Sequence, residues 1–157
     1  MQPTLSSPIN LNLFSDGGAR GNPGAAASSW LLFSDGGSLI DFGAEYLGTN
    51  TNNFAEYNGL ISGLSQIVKL NGAVAKTRRL PENFRLICHL DSELVVKQLR
   101  GEYKVKEASL QKLALKAHSL IAEITTKGNT VEFVHVERKL NHLADKLVNI
   151  ALDAHLL

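Results

Sequence analysis

The sequence predicts one mixed α/β domain, in which a five-stranded sheet carries helices on both faces. Three observations predict it. Three strand-like segments follow one another with only short turns between them, and short turns join antiparallel neighbours. Two later strand-like segments alternate with helical periodicity, which requires crossovers and favours parallel addition to one edge of the meander. The length of 157 residues suffices for one ordinary domain and not for two.

The meander occupies the first third of the chain. Ile9 to Phe14 alternates apolar and polar residues, which predicts a strand that ends at Ser15-Asp16. The glycine-rich residues 17–24 predict a tight loop. A second strand is expected from Ala25 to Phe33, a hairpin turn over 34–37, and a third strand from Leu39 to Tyr46.

Helical spacing of apolar residues then predicts a helix from about Asn53 to Leu70, which Asn71-Gly72 ends. Residues 73–83 are expected to form an exposed connection. The remaining elements follow in order: a strand Phe84–Leu90, a short helix Ser92–Leu99, a longer helix from about Glu107 to Thr126, a strand Thr130–Val136 and a last helix from about Asn141 to Ala154. The order along the chain is βββαβααβα.

The composition is that of a globular protein, with 44% hydrophobic residues, 20% charged residues and 13 glycines. It excludes a disordered tail, a collagen-like chain and a disulfide scaffold. The net charge is only +1, so charge alone does not indicate a strongly basic nucleic-acid binder.

The single cysteine, Cys88, lies in an apolar run and is expected to be a buried, inert thiol in a reducing compartment. Residues 1–8 show no signal-peptide pattern and are expected to form a flexible extension. No apolar stretch approaches the roughly 18 residues of a membrane span. We therefore expect a cytoplasmic protein that makes no membrane contact.

Four carboxylates occupy comparable places at the ends of the predicted elements. Asp16 closes the first strand and Asp91 the fourth, while Glu56 and Asp145 lie in the first turns of the first and last helices. Strand ends and helix starts on one side of a sheet converge in space. Clustered carboxylates repel unless cations bind between them, and such hard oxygen ligands select Mg²⁺ or Mn²⁺ over zinc. A pair of such ions suits in-line displacement at a phosphodiester.

Each carboxylate also has a local interpretation. Asn53 and Glu56 have the spacing of a capping box, and Asp91-Ser92 is an N-cap pattern. Asp145 suits the positive end of a helix or a solvated surface, and Asp16 suits the start of a glycine-rich turn. Their joint placement favours the metal site over four independent local roles.

Four segments containing these residues resemble the signature blocks of type 1 ribonuclease H. They occur in the family's order and span nearly the whole chain: Asp16 to Gly24 (DGGARGNPG), Thr51 to Tyr57 (TNNFAEY), Asp91 to Val95 (DSELV) and Asn141 to Leu147 (NHLADKL). The resemblance implies the ribonuclease H-like mixed-sheet fold and endonucleolytic hydrolysis of the RNA strand in RNA–DNA hybrids. It also implies two divalent cations, usually Mg²⁺, with Mn²⁺ as a substitute.

The resemblance assigns the carboxylates as both catalytic and metal-binding residues. Asp16 would bridge the two ions, Glu56 and Asp91 would complete one site, and Asp145 would complete the other. The products implied are a 5′-phosphate and a 3′-hydroxyl.

Substrate-contacting positions follow from the same resemblance. Asn22, Asn52 and Asn53 match positions that contact the hybrid across its minor groove, where 2′-hydroxyls distinguish RNA. Glu93 matches a further groove-facing position, and Thr51 matches a contact to a DNA phosphate. Gly17 and the other glycines of the first loop would let the backbone approach the nucleic acid closely.

The sequence departs from many bacterial members in two places. The connection Val136–Asn141 is too short for their flexible histidine-bearing loop. His135, His142 and Arg138 lie nearby, and Arg138 is a hypothetical electrostatic replacement for that histidine.

Residues 100–106 are too short for the basic protrusion that some members use to hold the hybrid. Lys97, Arg100, Lys104 and Lys106 predict instead a small basic patch beside Tyr103, with a solvated loop as the equal alternative. Affinity for the hybrid is expected to be modest and salt-sensitive.

The sequence also bears on three other functions. A non-catalytic module that binds hybrids or double-stranded RNA gains nothing from four converging negative charges. A dinucleotide-binding oxidoreductase requires a helix after its glycines, whereas residues 25–33 predict a strand. Another nuclease of the superfamily stays open. The expected partner is an RNA–DNA hybrid and the expected state is a monomer, and no protein partner can be inferred.

Overall fold

The structure is a computed structural model that describes residues 7–72 and 80–157. Its strands are β1 (Ile9–Gly21), β2 (Gly24–Phe33), β3 (Leu39–Asn50), β4 (Phe84–Leu90) and β5 (Thr130–His135). Its helices are α1 (Asn52–Leu70), α2 (Glu93–Leu99), α3 (Ala108–Thr125) and α4 (His142–His155), with a short 3₁₀ helix, Arg138–Asn141, directly before α4. Residues 1–6 and 73–79 lie outside the described ranges, so the predicted flexible extension and much of the predicted exposed connection are not described.

The five strands form one mixed sheet in the order β3-β2-β1-β4-β5. β1, β2 and β3 pair as an antiparallel meander. β4 then adds to β1 in parallel, and β5 adds to β4 in parallel. This arrangement confirms the predicted fold class and the predicted edge at which the later strands join.

The first strand is longer than predicted, and the predicted loop over 17–24 is wrong. β1 continues past Asp16 and stays paired with β2 down to Gly21, which lies opposite Gly24. Only Asn22 and Pro23, joined by a cis peptide bond, form the turn. The parallel pairing with β4 ends earlier, at Phe14. Asp16 therefore lies inside an antiparallel hairpin, just beyond the end of the neighbouring parallel strand.

The two faces of the sheet carry different helices. The main core packs α1 against the sheet through residues such as Leu13, Leu32 and Leu64. A second, smaller cluster packs α4 through Val148 and Leu152 against Ala27 of β2. Residues 32 and 27 of β2 lie on opposite faces because side chains alternate along a strand. Helices therefore cover both faces, as predicted.

The remaining boundaries agree with the prediction to within a few residues. Thr51 caps α1, since its hydroxyl accepts a hydrogen bond from the Phe54 N–H, and Ser92 caps α2 in the same way through Val95. The last helix starts one residue later than predicted, after the 3₁₀ turn. Cys88 is fully buried, as expected, and burial raises the pKa of its thiol. Across the described ranges, no helix combines the length and the apolar character that a bilayer crossing needs.

Candidate active site

An open cleft of about 390 Å³ lies where β1, the start of α1, the end of β4 and α4 meet. All four carboxylates predicted from the sequence line it: Asp16, Glu56, Asp91 and Asp145. The convergence expected from strand ends and helix starts therefore occurs. Asp16 reaches the cleft from within a strand rather than from a strand end.

Three of the four carboxylates form a tight group. Asp16, Glu56 and Asp91 each offer an oxygen atom, and these atoms all lie within 4.8 Å of one another. Asp16 and Glu56 are only 6% and 7% exposed, whereas Asp91 is half-buried. Asp145 is exposed and lies at the side of the cleft, outside this group. The sequence predicted that all four would converge, and the resemblance assigned Asp145 to a different ion site from Glu56 and Asp91. In the structure Asp16, Glu56 and Asp91 form a close group, and Asp145 faces solvent outside it.

Close backbone packing holds the buried group in place. A Cβ atom at Gly59 would lie 2.5 Å from the Asp16 carbonyl oxygen, so the glycine lets α1 approach β1 closely. The approach brings Glu56, one turn earlier in α1, against Asp16. Ser29 pairs with Asp16 across the hairpin and donates a 2.6 Å hydrogen bond to the Ala144 carbonyl oxygen. That bond joins the strand that carries Asp16 to the helix that carries Asp145.

Gly17 supports the group through its backbone. Its amide hydrogen-bonds to the carboxyl groups of Asp16 and Glu56. A Cβ atom at this position would lie 2.1 Å from the carbonyl carbon of Ala55. The structure therefore requires glycine here for packing between β1 and α1, a reason independent of the predicted approach to nucleic acid.

The buried carboxyl groups resist ionisation. Burial raises the pKa of Asp16 from 3.8 to about 7, and the negative charges of Asp91 and Asp145 add to the rise. Burial also raises the pKa of Glu56 well above its usual value, with Asp16 as the next cause. The two groups hydrogen-bond to each other, which requires a proton on one of them. A cation between them would replace that proton.

The donor set fits a hard divalent cation. The buried Oε2 atom of Glu56 has no hydrogen-bond partner among the described residues. Such an orphaned buried carboxylate oxygen is costly unless a cation or a donor meets it. Asp16, Glu56 and Asp91 supply only carboxylate oxygens, which suit Mg²⁺ or Mn²⁺.

Asn141 is a site residue that the sequence analysis treated only as a helix start. It is 1% exposed, and its side-chain amide donates to the Ser15 carbonyl oxygen at 2.9 Å and to Asp91 Oδ2 at 3.2 Å. It therefore links β1, the Asp91 carboxylate and the start of α4. The available signal was an asparagine at a predicted helix start within a signature block, which local reasoning assigns to capping.

Arg138 and the two nearby histidines occupy different positions around the site. Arg138 lines the cleft. His135 is exposed, and its Nε2 atom lies 3.2 Å from the Asp91 carbonyl oxygen rather than from the carboxylate. His142 lines a separate cavity on the other side of the start of α4. Arg138 is thus the member of this trio that faces the carboxylates.

Two of the residues predicted to contact the minor groove, Asn22 and Asn52, are held in place by hydrogen bonds. The Asn22 side-chain oxygen accepts from the Asn52 N–H at 3.0 Å, and the Asn52 side-chain oxygen accepts from the Ala19 N–H at 2.8 Å. These bonds join the β1–β2 turn to the start of α1. Asn52 and Asn53 both line the cleft. Their amide groups form its edge beside the carboxylates.

A second groove of about 490 Å³ begins at Asn53 and runs to the segment between α2 and α3. Tyr103, Lys104 and Lys106 line its far side, and both lysines are exposed. Because Asn53 lines both cavities, the two grooves are adjacent.

The predicted basic patch is smaller than expected. The Arg100 guanidinium donates to the Phe133 carbonyl oxygen and faces β5, away from this groove. Lys97 forms an ion pair with Glu93 at 2.8 Å and lies 4.9 Å from the centre of the Tyr103 ring. The predicted groove contact Glu93 is thus already paired within α2. Lys104 and Lys106 are the two cations of the predicted patch that line the groove.

Most of this chain is similar in sequence to known proteins. A family model described as reverse transcriptase-like matches residues 14–151. Bifunctional protein Rv2228c of Mycobacterium tuberculosis is 36% identical over 140 residues, which are 88% of this chain and 34% of the relative. The chain therefore spans about a third of the length of that curated relative.

Solved structures match over almost the full length of both chains. RNase H1 of Halobacterium salinarum is 31% identical with a TM-score of 0.77, and the match covers 94% of this chain and 99% of that one. LC11-RNase H1, isolated from compost, was solved in complex with an RNA/DNA hybrid. It is 33% identical with a TM-score of 0.78, again over 94% of this chain and 99% of that one.

Proposed function

This chain belongs to the type 1 ribonuclease H family, and from that premise we propose that it is an endonuclease that hydrolyses the RNA strand of RNA–DNA hybrids. One observation carries the proposal: Asp16, Glu56 and Asp91 place oxygen atoms within 4.8 Å of one another at the base of an open cleft. A module that only binds a polyanion would be weakened by these charges, whereas a metal-dependent nuclease requires them.

The chain's own residues hold the carboxylates in a geometry suited to cations. Asp16, Glu56 and Asp91 would hold one ion, and Asp145, across the cleft from them, would complete a second site with Asp16. When bound, divalent cations neutralise the carboxylates, activate water and stabilise charge on the phosphate. Gly17 and Asn141 keep the carboxylates oriented through hydrogen bonds. Hydrolysis adds water across the P–O3′ bond, leaving a 5′-phosphate and a 3′-hydroxyl.

Recognition of the hybrid follows from the edges of the cleft. Asn22, Asn52 and Asn53 present polar groups where a minor groove with 2′-hydroxyls would lie. Lys104 and Lys106 line the adjacent groove and, together with Thr51 at the start of α1, would meet phosphates of the DNA strand. The RNA/DNA hybrid bound by LC11-RNase H1 supports this choice of substrate. Lys104 and Lys106 share the lining of that groove with Glu102 and Glu107. Affinity for the hybrid is therefore expected to be modest and to fall with salt concentration only as far as these few phosphate contacts allow.

Several finer properties are proposals from the sequence. We expect Mg²⁺ as the physiological ion with Mn²⁺ as a substitute, a monomer, a cytoplasmic location and one domain over residues 1–157. Arg138 faces the carboxylates and is the proposed electrostatic substitute for the histidine-bearing loop.

The Asp16→Asn substitution tests the proposal directly. We expect it to lower cleavage of a labelled RNA–DNA hybrid in Mg²⁺ by at least about a hundredfold, because it removes the carboxylate shared by both cation sites. Binding of the hybrid should be at least as strong, since a negative charge is lost. Asp35→Asn, in the exposed β2–β3 turn, is the matched control and should be silent.

If the intact chain cleaves the hybrid neither in Mg²⁺ nor in Mn²⁺, the proposal is refuted and a binding module is favoured. A panel of RNA–DNA hybrid, double-stranded RNA, duplex DNA and a four-way junction separates the remaining nuclease activities. Preferential cleavage of the junction or of duplex DNA would assign the chain to another activity of the superfamily. Unfolding of Asp16→Asn, seen by circular dichroism, would indicate that Asp16 has a structural role.

A further inference from the structure

Arg20 lines the same cleft as the carboxylates and belongs to a polar row on β1. Asp16, Gly18 and Arg20 alternate along the strand, so they share the face that α4 covers. On α4, Asp145, Asn149 and Asp153 are spaced four residues apart and share one helix face. Two residues of strand rise by about 6.6 Å and four residues of helix by about 6.0 Å, so the two rows stay nearly in register.

The contacts between the two rows lie at the end away from the buried carboxylates. Arg20 Nη2 lies 2.7 Å from Asp153 Oδ1 and 3.4 Å from Asn149 Oδ1. The Asn149 side-chain amide in turn donates to the Asp145 carbonyl oxygen at 3.1 Å. A hydrogen-bonded chain therefore runs from Arg20 on β1 to the backbone of Asp145.

The other end of the rows is repulsive. Asp16 and Asp145 both line the carboxylate cleft, and like charges there would not draw the start of α4 toward β1. The ion pair between Arg20 and Asp153 instead links the other end of the helix to the strand. A Cβ atom at Gly18, between the two ends, would have Val148 Cγ1 as its nearest neighbour, at 3.9 Å, so this position does not restrict the approach of α4 to β1.

We propose that Arg20 is a positioning residue, which holds α4 in register on β1 through Asp153 and Asn149 and thereby keeps Asp145 beside the buried carboxylates. The proposal rests on the proposed function, because the position of Asp145 matters only where a second cation site is used. Direct binding of a nucleic-acid phosphate by Arg20 is the competing role, and it is an outcome of the test. Within residues 7–72 and 80–157, the Arg20 guanidinium hydrogen-bonds to Asn149 and Asp153, both on α4, which favours positioning.

The test compares Arg20→Ala with Asp153→Asn, using the full chain. Mg²⁺ binding is measured by calorimetry without nucleic acid, and hydrogen exchange reports on α4. Charge alone predicts opposite signs: loss of the Arg20 cation would tighten Mg²⁺ binding, and loss of the Asp153 anion would weaken it. A positioning role predicts that both variants change the Mg²⁺ affinity in the same direction. Each should weaken binding by about three- to tenfold, at or below the loss typical for residues that hydrogen-bond to metal ligands.

Two further variants sharpen the result. Arg20→Lys keeps a cation opposite Asp153 and should recover part of the affinity. The double exchange of Arg20→Asp with Asp153→Arg restores an ion pair of reversed sense and should bind Mg²⁺ more tightly than either single exchange. The ion pair is partly exposed and adds little to global stability, so melting temperatures should change little.

The proposal is overturned if Arg20→Ala and Asp153→Asn change the Mg²⁺ affinity in opposite directions, or if neither changes it. So would a silent Asp153→Asn together with an Arg20→Ala variant whose KM for hybrid rises and whose salt dependence falls, since that pattern identifies a phosphate contact. The calorimetry needs no cleavage activity. Failure of the wild-type chain to cleave the hybrid would therefore refute the proposed function, whereas the role of Arg20 is decided by the Mg²⁺ affinities alone.

Discussion

Glu56 shows how far local sequence reasoning can mislead at a single residue. Its spacing from Asn53 fits a capping box, yet the N-cap of α1 is Thr51. Glu56 lies in the second turn, is 93% buried, and hydrogen-bonds to Asp16 rather than to the helix start. A buried carboxylate with an unpartnered oxygen lowers stability. The close group that Glu56 forms with Asp16 and Asp91, rather than capping of α1, therefore explains its position.

Gly17 and Gly18 provide a matched pair of substitutions at the residue scale. An added Cβ atom at Gly17 would lie within 2.3 Å of three backbone atoms of Ala55 and Glu56, none of which can move as a side chain would. At Gly18 the nearest atom is at 3.9 Å. We expect Gly17→Ala to lower the free energy of unfolding by about 3 kcal/mol or more, as strong overpacking does. Gly18→Ala should leave the free energy of unfolding unchanged or raise it by up to about 1 kcal/mol.

Denaturant unfolding of both variants measures this difference, and cleavage assays follow its effect on the site. Gly17→Ala should also lose activity, because α1 must move and it carries Glu56. Equal stability of the two variants would contradict the packing argument. A stable but inactive Gly17→Ala would instead point to the close approach of nucleic acid predicted from the sequence.

At the scale of single elements, α1 and β1 decide where the site lies. β1 continues through its glycines as a strand, because the hairpin with β2 supplies hydrogen bonds and Gly17 lets α1 pack closely against the strand. α1 begins directly after β3, and its first turn is tied to the β1–β2 turn through Asn22 and Asn52. The edge of the cleft therefore depends on how α1 starts.

Thr51→Ala tests the start of α1. The hydroxyl accepts from the Phe54 N–H at 3.2 Å, and its loss should cost about 1 kcal/mol, or about 2–4 °C in Tm for a chain of this size. Hybrid binding should weaken as well, because Asn52 and Asn53 belong to the same turn. Thr51→Ser keeps the hydroxyl and should match the wild type in thermal unfolding. A Tm for Thr51→Ala equal to that of wild type would exclude a capping role.

At the scale of the whole molecule, the net charge of +1 conceals an uneven distribution. A group of carboxylates shares one cleft, whereas the neighbouring groove carries the exposed Lys104 and Lys106 beside Glu102 and Glu107. Without cations the cleft repels a phosphate backbone, and bound cations reverse that effect. Near-neutral charge is therefore compatible with nucleic-acid binding, although it does not favour tight binding without metal.

The same carboxylates predict an unusual dependence of stability on pH. Burial, followed by the charge of Asp91, raises the pKa of Asp16 to about 7 in the folded chain, whereas the unfolded value is near 3.8. Between about pH 4 and 7 the folded state therefore binds more protons than the unfolded state, so this group lowers stability as pH rises. The raised pKa of Glu56 acts in the same direction.

Thermal unfolding in EDTA across pH 4–8, compared between wild type and Asp16→Asn, isolates this contribution. The Tm of wild type should fall relative to that of Asp16→Asn as pH rises, and excess Mg²⁺ should reverse the fall at pH 7–8. The comparison is needed because burial lowers the pKa of His89, which acts in the opposite direction below pH 6.5. A difference between the two proteins that does not vary with pH would show that Asp16 ionises normally.

Local patterns in the sequence were enough to predict the mixed sheet, the parallel addition of β4 and β5, and the four carboxylates of one cleft. Periodicity and turn residues act over a few positions, and the signature blocks mark the site directly. The continuation of β1 from Asp16 to Gly21 depended on hairpin pairing with β2, whose partners lie 3 to 13 residues away; the glycine-rich composition of this segment predicted a loop instead. Two further features depended on contacts between distant segments: the link from Asn141 to Asp91, 50 residues apart, and the departure of Arg100 from the predicted patch toward Phe133, 33 residues away. No local pattern encodes such distant contacts. Packing between helix and sheet also buried Asp16 and Glu56, left Asp91 half-buried and left Asp145 exposed, since burial is a property of the assembled fold.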